Sequence, residues 1–404
     1  MVMTTETKTI VMTSTFYPPF HIGGDAVHVK YLAEELTGRG HEVHVIHSVD
    51  AYRLKRGGGR PRGDGTGVHV HPIESTLGRT SPALTYITGS NKGAERLLER
   101  LIEVERPDFI HHHNISLLGG RLLGIGALPK IYTAHDYWLL CQRSDFLKNG
   151  KELCRDRRCF GCSLRSYRPY QFWRGKRFER SIDGIDRIIA PSKFMSSIMR
   201  LYLRTEPLVI PNFAPRIPMP PARGDADPYF IFASALERYK GLHLLLDAYV
   251  KADLASNLHI AGTGTLEPLV KRFEKETKGH VRYKGFLNRT ELIEELSSAI
   301  CLVSPSTCNE NSPLSCIEAL SLGRPLVVSK NGGLPELVRD PECGISSETS
   351  AEGIARALRR IEGDRDLRLS FSRNALQRYE RHHTPERYID AYMKAAEEVM
   401  ARAS

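Results

Sequence analysis

The chain has 404 residues, 41% hydrophobic and 26% charged, with a formal net charge of +10. That length suits two domains with separate cores, and no apolar run approaches the roughly 18 residues of a membrane span. Eight cysteines in a chain this long exclude a small disulfide scaffold.

In chain order, short apolar runs read as strands over Thr9–Thr13, Glu42–His47, Val68–His71, Asp108–His112, Lys130–Ala134, Arg187–Ala190 and Leu208–Ile210. Amphipathic stretches between them, such as Ala26–Thr37, Ala94–Glu105 and Lys193–Leu203, read as helices. The rhythm resumes with strands Tyr229–Ala233, Leu258–Ala261, Val281–Tyr283, Cys301–Ser304 and Pro325–Val328. Between the two sets lies a Pro-rich stretch from Pro211 to Pro221, where proline removes backbone donors and disfavours helix. The expected fold is therefore α/β: two Rossmann-like, doubly wound domains facing a cleft, with ligands outside the carboxyl ends of the strands. The domains are 1–210 and 211–384. A last helix, Pro385–Ala403, carries Tyr388, Ala391, Tyr392 and Ala395 on one stripe. Residues 139–170 interrupt the alternation as a Cys- and Arg-rich insertion.

Charge is unevenly placed. Residues 1–210 hold 31 Lys+Arg against 21 Asp+Glu, and 141–180 alone hold 12 against 4, whereas 211–404 balance. Such a patch favours an anionic partner: a membrane surface, a lipid phosphate, an anionic glycan or nucleic acid. It also reads as a solvated basic surface. Met1–Ile10 lacks a basic start followed by an apolar core, so a cytoplasmic protein is expected, or one held peripherally on the inner face of a membrane.

Three motifs suggest chemistry. Gly23-Gly24-Asp25 follows the first strand and opens a helix; paired glycines let a ligand approach the backbone, and the helix N-terminus offers N–H groups to an anion. Lys240-Gly241 begins the helix after Tyr229–Ala233, with Arg238 just before it, and can set an ammonium on a phosphate. Glu310-Asn311-Ser312-Pro313-Leu314-Ser315-Cys316-Ile317-Glu318 places two carboxylates around a helix start. Ser312 is the expected N-cap and Pro313 the first helical residue. Backbone N–H groups near Leu314 and Ser315 would face a phosphate, and Glu310 and Glu318 would accept from sugar hydroxyls. Asn331-Gly332-Gly333-Leu334-Pro335-Glu336 repeats the Gly-Gly pattern. The run His111–His113 cannot meet one ion, because adjacent strand positions point to opposite faces.

Together these segments resemble the retaining glycosyltransferases of family four, which have the GT-B fold. The resemblance runs in order through Tyr17-Pro18-Pro19, Gly23-Gly24, Gly38–Val43, Thr133-Ala134-His135-Asp136, Ala190-Pro191-Ser192, Ile210-Pro211-Asn212, Lys240-Gly241, Glu310…Glu318 and Gly332-Gly333…Glu336. It implies that Gly24 approaches the donor diphosphate and Lys240 neutralises it. It implies that Glu310 contacts the donor sugar, Glu318 the ribose hydroxyls, and His135 the transferred sugar. His135 and Glu310 are then the catalytic candidates. Gly23, Gly24, Arg238, Lys240, Ser312, Leu314, Ser315 and Glu318 are the donor-binding ones. The resemblance further implies a nucleotide-sugar donor, expected to be a UDP- or GDP-sugar, retention of the anomeric configuration and no need for a catalytic metal. It also implies that the C-terminal helix, 385–404, crosses back to the first domain. The family often has a Gly-Arg pair five to six residues before the Lys; here Ser234 and Ala235 stand there, with Arg238 as the neighbouring cation.

The insertion departs most from that pattern. Cys141, Cys154, Cys159 and Cys162 have the spacing C-x12-C-x4-C-x2-C. Four thiolates ending in C-x2-C suit a structural zinc; an iron–sulfur cluster, a disulfide pair and free thiols are the alternatives. Arg155, Arg157, Arg158, Arg165, Arg168, Arg174, Lys176 and Arg177 alternate with Phe160, Tyr167, Tyr170, Phe172 and Trp173. This mixture suits a membrane headgroup region, sugar rings or bases. The expected acceptor is a glycan or lipid-linked sugar, in synthesis of a cell-surface polysaccharide or glycoconjugate. No nucleic-acid partner is expected. The competing readings are a zinc-knuckle nucleic-acid-binding protein and a GT-B-shaped epimerase or non-catalytic sugar-nucleotide binder.

Overall fold

The computed structural model describes residues 6–56, 67–148, 152–218, 228–339 and 341–403. Pro220 and Pro221 of the Pro-rich stretch lie outside them. The chain forms two compact units, Met1–Ile210 with Ile389–Ser404, and Pro211–Tyr388.

The first unit contains strands β1 (Thr9–Thr13), β2 (Glu42–Ser48), β3 (His69–Ile73), β4 (Phe109–His112) and β5 (Lys130–Thr133). A two-residue hairpin, β6 (Leu147–Lys148) with β7 (Glu152–Leu153), lies in the insertion. Strands β8 (Arg187–Ala190) and β9 (Leu208–Val209) complete a seven-stranded parallel sheet of order β3-β2-β1-β4-β5-β8-β9. The strands read as near-continuous apolar runs because helices cover both faces: Ile10, Val11, Met12, Val43, Val45, Ile110, Ile131 and Ile188 are buried completely. Local signals set the helix starts. Asn91 accepts from the N–H groups of Gly93 and Ala94 ahead of helix Lys92–Glu105, and Ser192 accepts from Met195 ahead of helix Lys193–Tyr202.

The second unit contains β10 (Tyr229–Ala233), β11 (Asn257–Ala261), β12 (Val281–Gly285), β13 (Cys301–Ser304), β14 (Leu326–Ser329) and β15 (Gly344–Ser347). They form a six-stranded parallel sheet of order β12-β11-β10-β13-β14-β15. The Gly- and Ser-rich strand β15 carries no apolar run, which is why the sequence pattern passes over it. Among the described residues no helix is long and apolar enough to cross a membrane.

The last helix, Pro385–Ala403, starts in the second unit and ends in the first. Tyr388 packs on Phe213 with ring centroids 4.7 Å apart. Four residues on, the buried Tyr392 hydroxyl meets His111 Nδ1 at 2.9 Å under the first sheet. Spacing of four keeps both tyrosines on one helix face.

The insertion is more ordered than its composition suggests. Trp138, Leu139, Leu140 and Phe146 join the first unit's core. The expectation that Trp173 and Arg174 belong to an exposed basic-aromatic surface is corrected. The Trp173 ring lies over Gly89 and Gly120, where an added Cβ would fall 2.4 Å from it. The Arg174 guanidinium donates to the Trp138 carbonyl at 2.7 Å and lies 4.7 Å from the Trp138 ring centroid. Burial pulls its pKa down to about 10. Aromatic faces and a carbonyl replace the water an arginine otherwise needs. Phe160, Leu164, Tyr167 and Phe172 do face solvent, among the exposed Arg155, Arg157, Arg158, Arg165 and Arg168.

Candidate functional site

In an open parallel sheet, adjacent loops diverge where the strand order reverses, and a crevice forms outside the carboxyl ends there. The reversals fall between β1 and β4 in the first unit and between β10 and β13 in the second. The expected site residues cluster in the loops beyond these strands.

In the second unit, Gly241 ends the short 3-10 turn Arg238–Lys240 with φ 74° and leads into helix Leu242–Ala252. A Cβ there would lie 1.9 Å from the Pro305 carbonyl oxygen, so the loop after β13 sits hard against this turn. That contact brings Lys240 to Glu310, with Nζ 2.5 Å from Oε1. Ser306 Oγ donates to the same oxygen at 2.9 Å. Burial opposes the charge on both groups, but each stabilises the other: Glu310 is held below its ordinary value and Lys240 above its own. Ser234, Lys240, Ser306, Glu310, Pro313 and Ser315 line one pocket. Arg238 is exposed and outside that lining, and Glu318 is buried one helical turn further on.

The helix starts at Leu314, and Pro313, at ψ 130°, is the residue before it. The expected Ser312 cap is thereby corrected. The Ser312 carbonyl accepts from Asn212 Nδ2 at 2.9 Å, which holds this segment extended through Pro313, and the buried Ser312 Oγ has no hydrogen-bond partner among the described residues. The N–H groups of Leu314 and Ser315 remain at the helix N-terminus, where no intrahelical acceptor precedes them. Gly332-Gly333 proves to be a cradle for Glu310. Gly333 N–H donates to the Glu310 carbonyl at 2.6 Å, and a Cβ on Gly332 would lie 2.2 Å from that oxygen. Asn331 Nδ2 and Ser329 Oγ both donate to the Ser306 carbonyl, at 2.8 and 2.6 Å. Sequence reasoning missed these supports, although Asn212 and Asn331 both stood in motifs it had singled out.

In the first unit, Gly23 has φ 87° and precedes helix Gly24–Gly38. His135, just beyond β5, is half-buried, and its Nε2 meets His113 Nδ1 at 3.0 Å. His113 stacks on His135 at 5.3 Å between centroids and lies tilted against His111 at 3.9 Å, and His28 meets His135 edge-on at 5.1 Å. His112 faces the other way, onto Thr13 Oγ1 at 2.8 Å. Burial keeps the cluster neutral: it pulls His135 and His112 down to about 3, and His28, His111 and His113 well below their ordinary value. Beside it, Asn114 Nδ2 donates to Asp25 at 3.0 Å and to Asp136 at 3.4 Å. Burial, and then the nearby Asp25 charge, push Asp136 up to about 7, against a 2.8 Å hydrogen bond from Trp138 N–H. His113, Asn114 and Asp136 were not among the expected site residues. Their signal is position: His113 and Asn114 directly follow β4, and Asp136 directly follows His135 beyond β5.

The insertion cysteines are free thiols and line one cavity of about 240 Å³. Among the described residues, only Glu42, His44 and His69 bring three metal-ligating atoms within 4.8 Å of one another. They lie on β2 and β3, where His44 Nδ1 already meets His71 Nε2 at 3.1 Å.

Comparison with known proteins agrees with this geometry. Residues 22–215 match the family model Glycosyltransferase Family 4, and residues 216–378 match Glycosyl transferases group 1. A glycogen synthase of Mycobacterium tuberculosis is 27% identical over 394 residues, covering 91% of this chain and 89% of that one. An N,N'-diacetylbacillosaminyl-diphospho-undecaprenol alpha-1,3-N-acetylgalactosaminyltransferase of Campylobacter jejuni is 25% identical over 43% of this chain and 47% of its own. Among solved structures, a sucrose-phosphate synthase from Thermosynechococcus elongatus superposes with TM-score 0.73 at 17% identity, covering 98% of this chain and 100% of that one. The catalytic domain of starch synthase IV from Arabidopsis thaliana, bound to ADP and acarbose, does so with TM-score 0.71 at 14% identity and the same coverage. With two parallel-sheet units in that order, each matched by its own family model, this chain belongs to the group 1 glycosyltransferases of the GT-B fold.

Proposed function

We propose that the protein moves a glycosyl group from a nucleoside-diphosphate sugar, with UDP or GDP as the nucleotide, to a glycan or lipid-linked acceptor, with retention of anomeric configuration. The observation that carries this reading is the Lys240–Glu310 pair at the β10/β13 reversal, beside the helix start at Leu314. A phosphate arriving there competes for the Lys240 ammonium. It meets the Leu314 and Ser315 N–H groups and the positive end of the helix. Glu310, released from Lys240, accepts from hydroxyls of the donor sugar, and Glu318 accepts from those of the ribose. Lysine and helix dipole together offset the charge that develops on the leaving diphosphate, so no catalytic metal is required. Ser312 shapes the approach to this helix, and Arg238 adds a cation at its rim. In the first unit, Gly23 and Gly24 let the diphosphate approach the backbone, and neutral His135 takes the transferred sugar.

The acceptor preference follows from the insertion. Exposed Phe160, Leu164, Tyr167 and Phe172 among arginines suit an anionic membrane surface, as on the inner face where lipid-linked sugars are extended. The C. jejuni relative, named for a diphospho-undecaprenol substrate, supports this reading, as does the ADP-bound starch synthase for the donor. The role is then synthesis of a cell-surface polysaccharide or glycoconjugate.

Donor screening by mass spectrometry, with NMR of the product's anomeric configuration, tests the proposal. The expected result is transfer from one UDP- or GDP-sugar with the donor's configuration kept. Inversion overturns retention. Thermal stabilisation by short oligonucleotides but not by UDP or GDP overturns the donor reading itself.

A further inference from the structure

Cys141, Cys154, Cys159 and Cys162 take no part in the reading above, yet they come from three separate pieces of chain and share one cavity. Cys141 follows Leu140 out of the core, Cys154 directly follows the hairpin strand β7, and Cys159 and Cys162 lie in the helix Cys159–Arg165. All four are free and partly buried. We propose that these four cysteines bind one structural zinc ion that staples the insertion to the first unit.

Three observations carry the proposal. The first is convergence. One hydrogen bond ties two of the pieces together: Cys154 N–H donates to the Phe146 carbonyl at 2.9 Å, while Cys162 N–H, donating to the Arg158 carbonyl at 3.1 Å, closes the first turn of the helix that carries the other two cysteines. The second is the turn at Cys141. Ser144 N–H donates to the Cys141 carbonyl at 3.1 Å, Ser144 has φ 66°, and the backbone N–H groups of Arg143 and Phe146 donate to the Cys141 sulphur. Backbone donors aimed at one sulphur fix where that sulphur points, as the groups around a metal-ligating atom do. The third is charge. Arg143, Lys148, Arg158 and Arg165 outnumber Asp156 on the cavity wall. Binding balances as one Zn²⁺ and four thiols giving a tetrathiolate complex of charge −2 and four protons released. A basic wall offsets that charge.

A tetrahedral site with Zn–S of about 2.3 Å needs sulphurs about 3.8 Å apart. The one set of ligating groups already close together among the described residues does not include these cysteines, so ligation draws the Cys141 turn and the helix Cys159–Arg165 inward across the cavity. The histidine set at Glu42, His44 and His69 is nearer to ligating spacing. It is largely exposed, however, and His44 is already hydrogen-bonded to His71.

The test is metal analysis of the full chain purified with reductant and without chelator. The expected result is about one zinc per chain, released on thiol alkylation, and lost in the double variant Cys159→Ser, Cys162→Ser but kept in His44→Ala, His69→Ala. Cobalt reconstitution of the wild type gives a second readout that does not depend on variants folding: a thiolate-to-cobalt charge-transfer band with tetrahedral d–d absorption. Wild-type protein with four titratable thiols and no metal overturns the proposal. So does a disulfide, an iron–sulfur chromophore, or zinc that survives the cysteine variant and leaves with the histidines.

Discussion

The two strand-order reversals of this molecule carry loops of similar design and opposite electrostatics. Beyond β10 and β13 stands an ion pair, Lys240 with Glu310, each charged because the other is. Beyond β1, β4 and β5 stand stacked imidazoles that burial keeps neutral, with a carboxyl, Asp136, raised to about 7. The contrast suits a division of labour. A diphosphate carries formal charge and needs a cation and a helix N-terminus. A sugar ring carries none and needs neutral donors and acceptors at fixed positions. The ion pair also keeps the half-buried lysine from standing uncompensated before the donor arrives.

The comparison can be broken at several points. Glu310→Ala removes the sugar-side carboxylate and should lower kcat/KM for transfer by about 10²–10³-fold, on the scale of losing one transition-state hydrogen-bonding group. Wild-type turnover by that variant sinks the site assignment. Gly332→Ala leaves every proposed ligand group in place, but its Cβ meets the Glu310 carbonyl and its φ is 64°. It should cost about 1–3 kcal/mol of stability in chemical denaturation and lower transfer in parallel. An unchanged variant would show that the cradle does not position Glu310.

The subtlest effect is pH. A histidine whose pKa is depressed on folding binds its proton only in the unfolded state, so stability falls as pH drops below its unfolded value of about 6.5 toward the folded value. His28, His41, His47, His71, His111, His112, His113 and His135 of the first unit all shift this way, and in the second unit His383 and His243 do. Asp136, raised to about 7, acts in the opposite sense and loses stability as pH rises toward 7. Asp50, also raised by burial, joins it, so two carboxyls stand against eight histidines. Hydrogen exchange between pH 7 and pH 5 should therefore show protection lost earlier at β1, β4 and β5 than at β10, β13 and β14. Equal loss in both units contradicts the account of the imidazole cluster.

Much of this was legible in the sequence, and the exceptions have physical causes. Parallel strands covered on both faces announce themselves as apolar runs, so Thr9–Thr13, Tyr229–Ala233 and Cys301–Ser304 begin and end where the pattern placed them. Gly344–Ser347 did not, because an edge strand with Ile345 as its one apolar residue leaves no apolar run. Lys240 and Glu310 were readable as separate motifs 70 residues apart, but their pairing depends on the close approach at Gly241 and Pro305, which is a tertiary fact. Gly332-Gly333 read only as a repeat of the Gly-Gly pattern, and it is the structure that shows it supporting Glu310. Trp173 and Arg174 read as surface by composition, whereas burial against Trp138 decides their role.

The most direct test of the division between the two loops is calorimetric binding of UDP and GDP to the wild type, Lys240→Ala and His135→Ala. Loss of a charge-assisted contact of about 1.5–3 kcal/mol should weaken diphosphate binding by roughly 10–100-fold in Lys240→Ala. His135→Ala should change it by no more than about twofold while losing transfer. Wild-type affinity in Lys240→Ala, or equal weakening in both variants, would contradict the account.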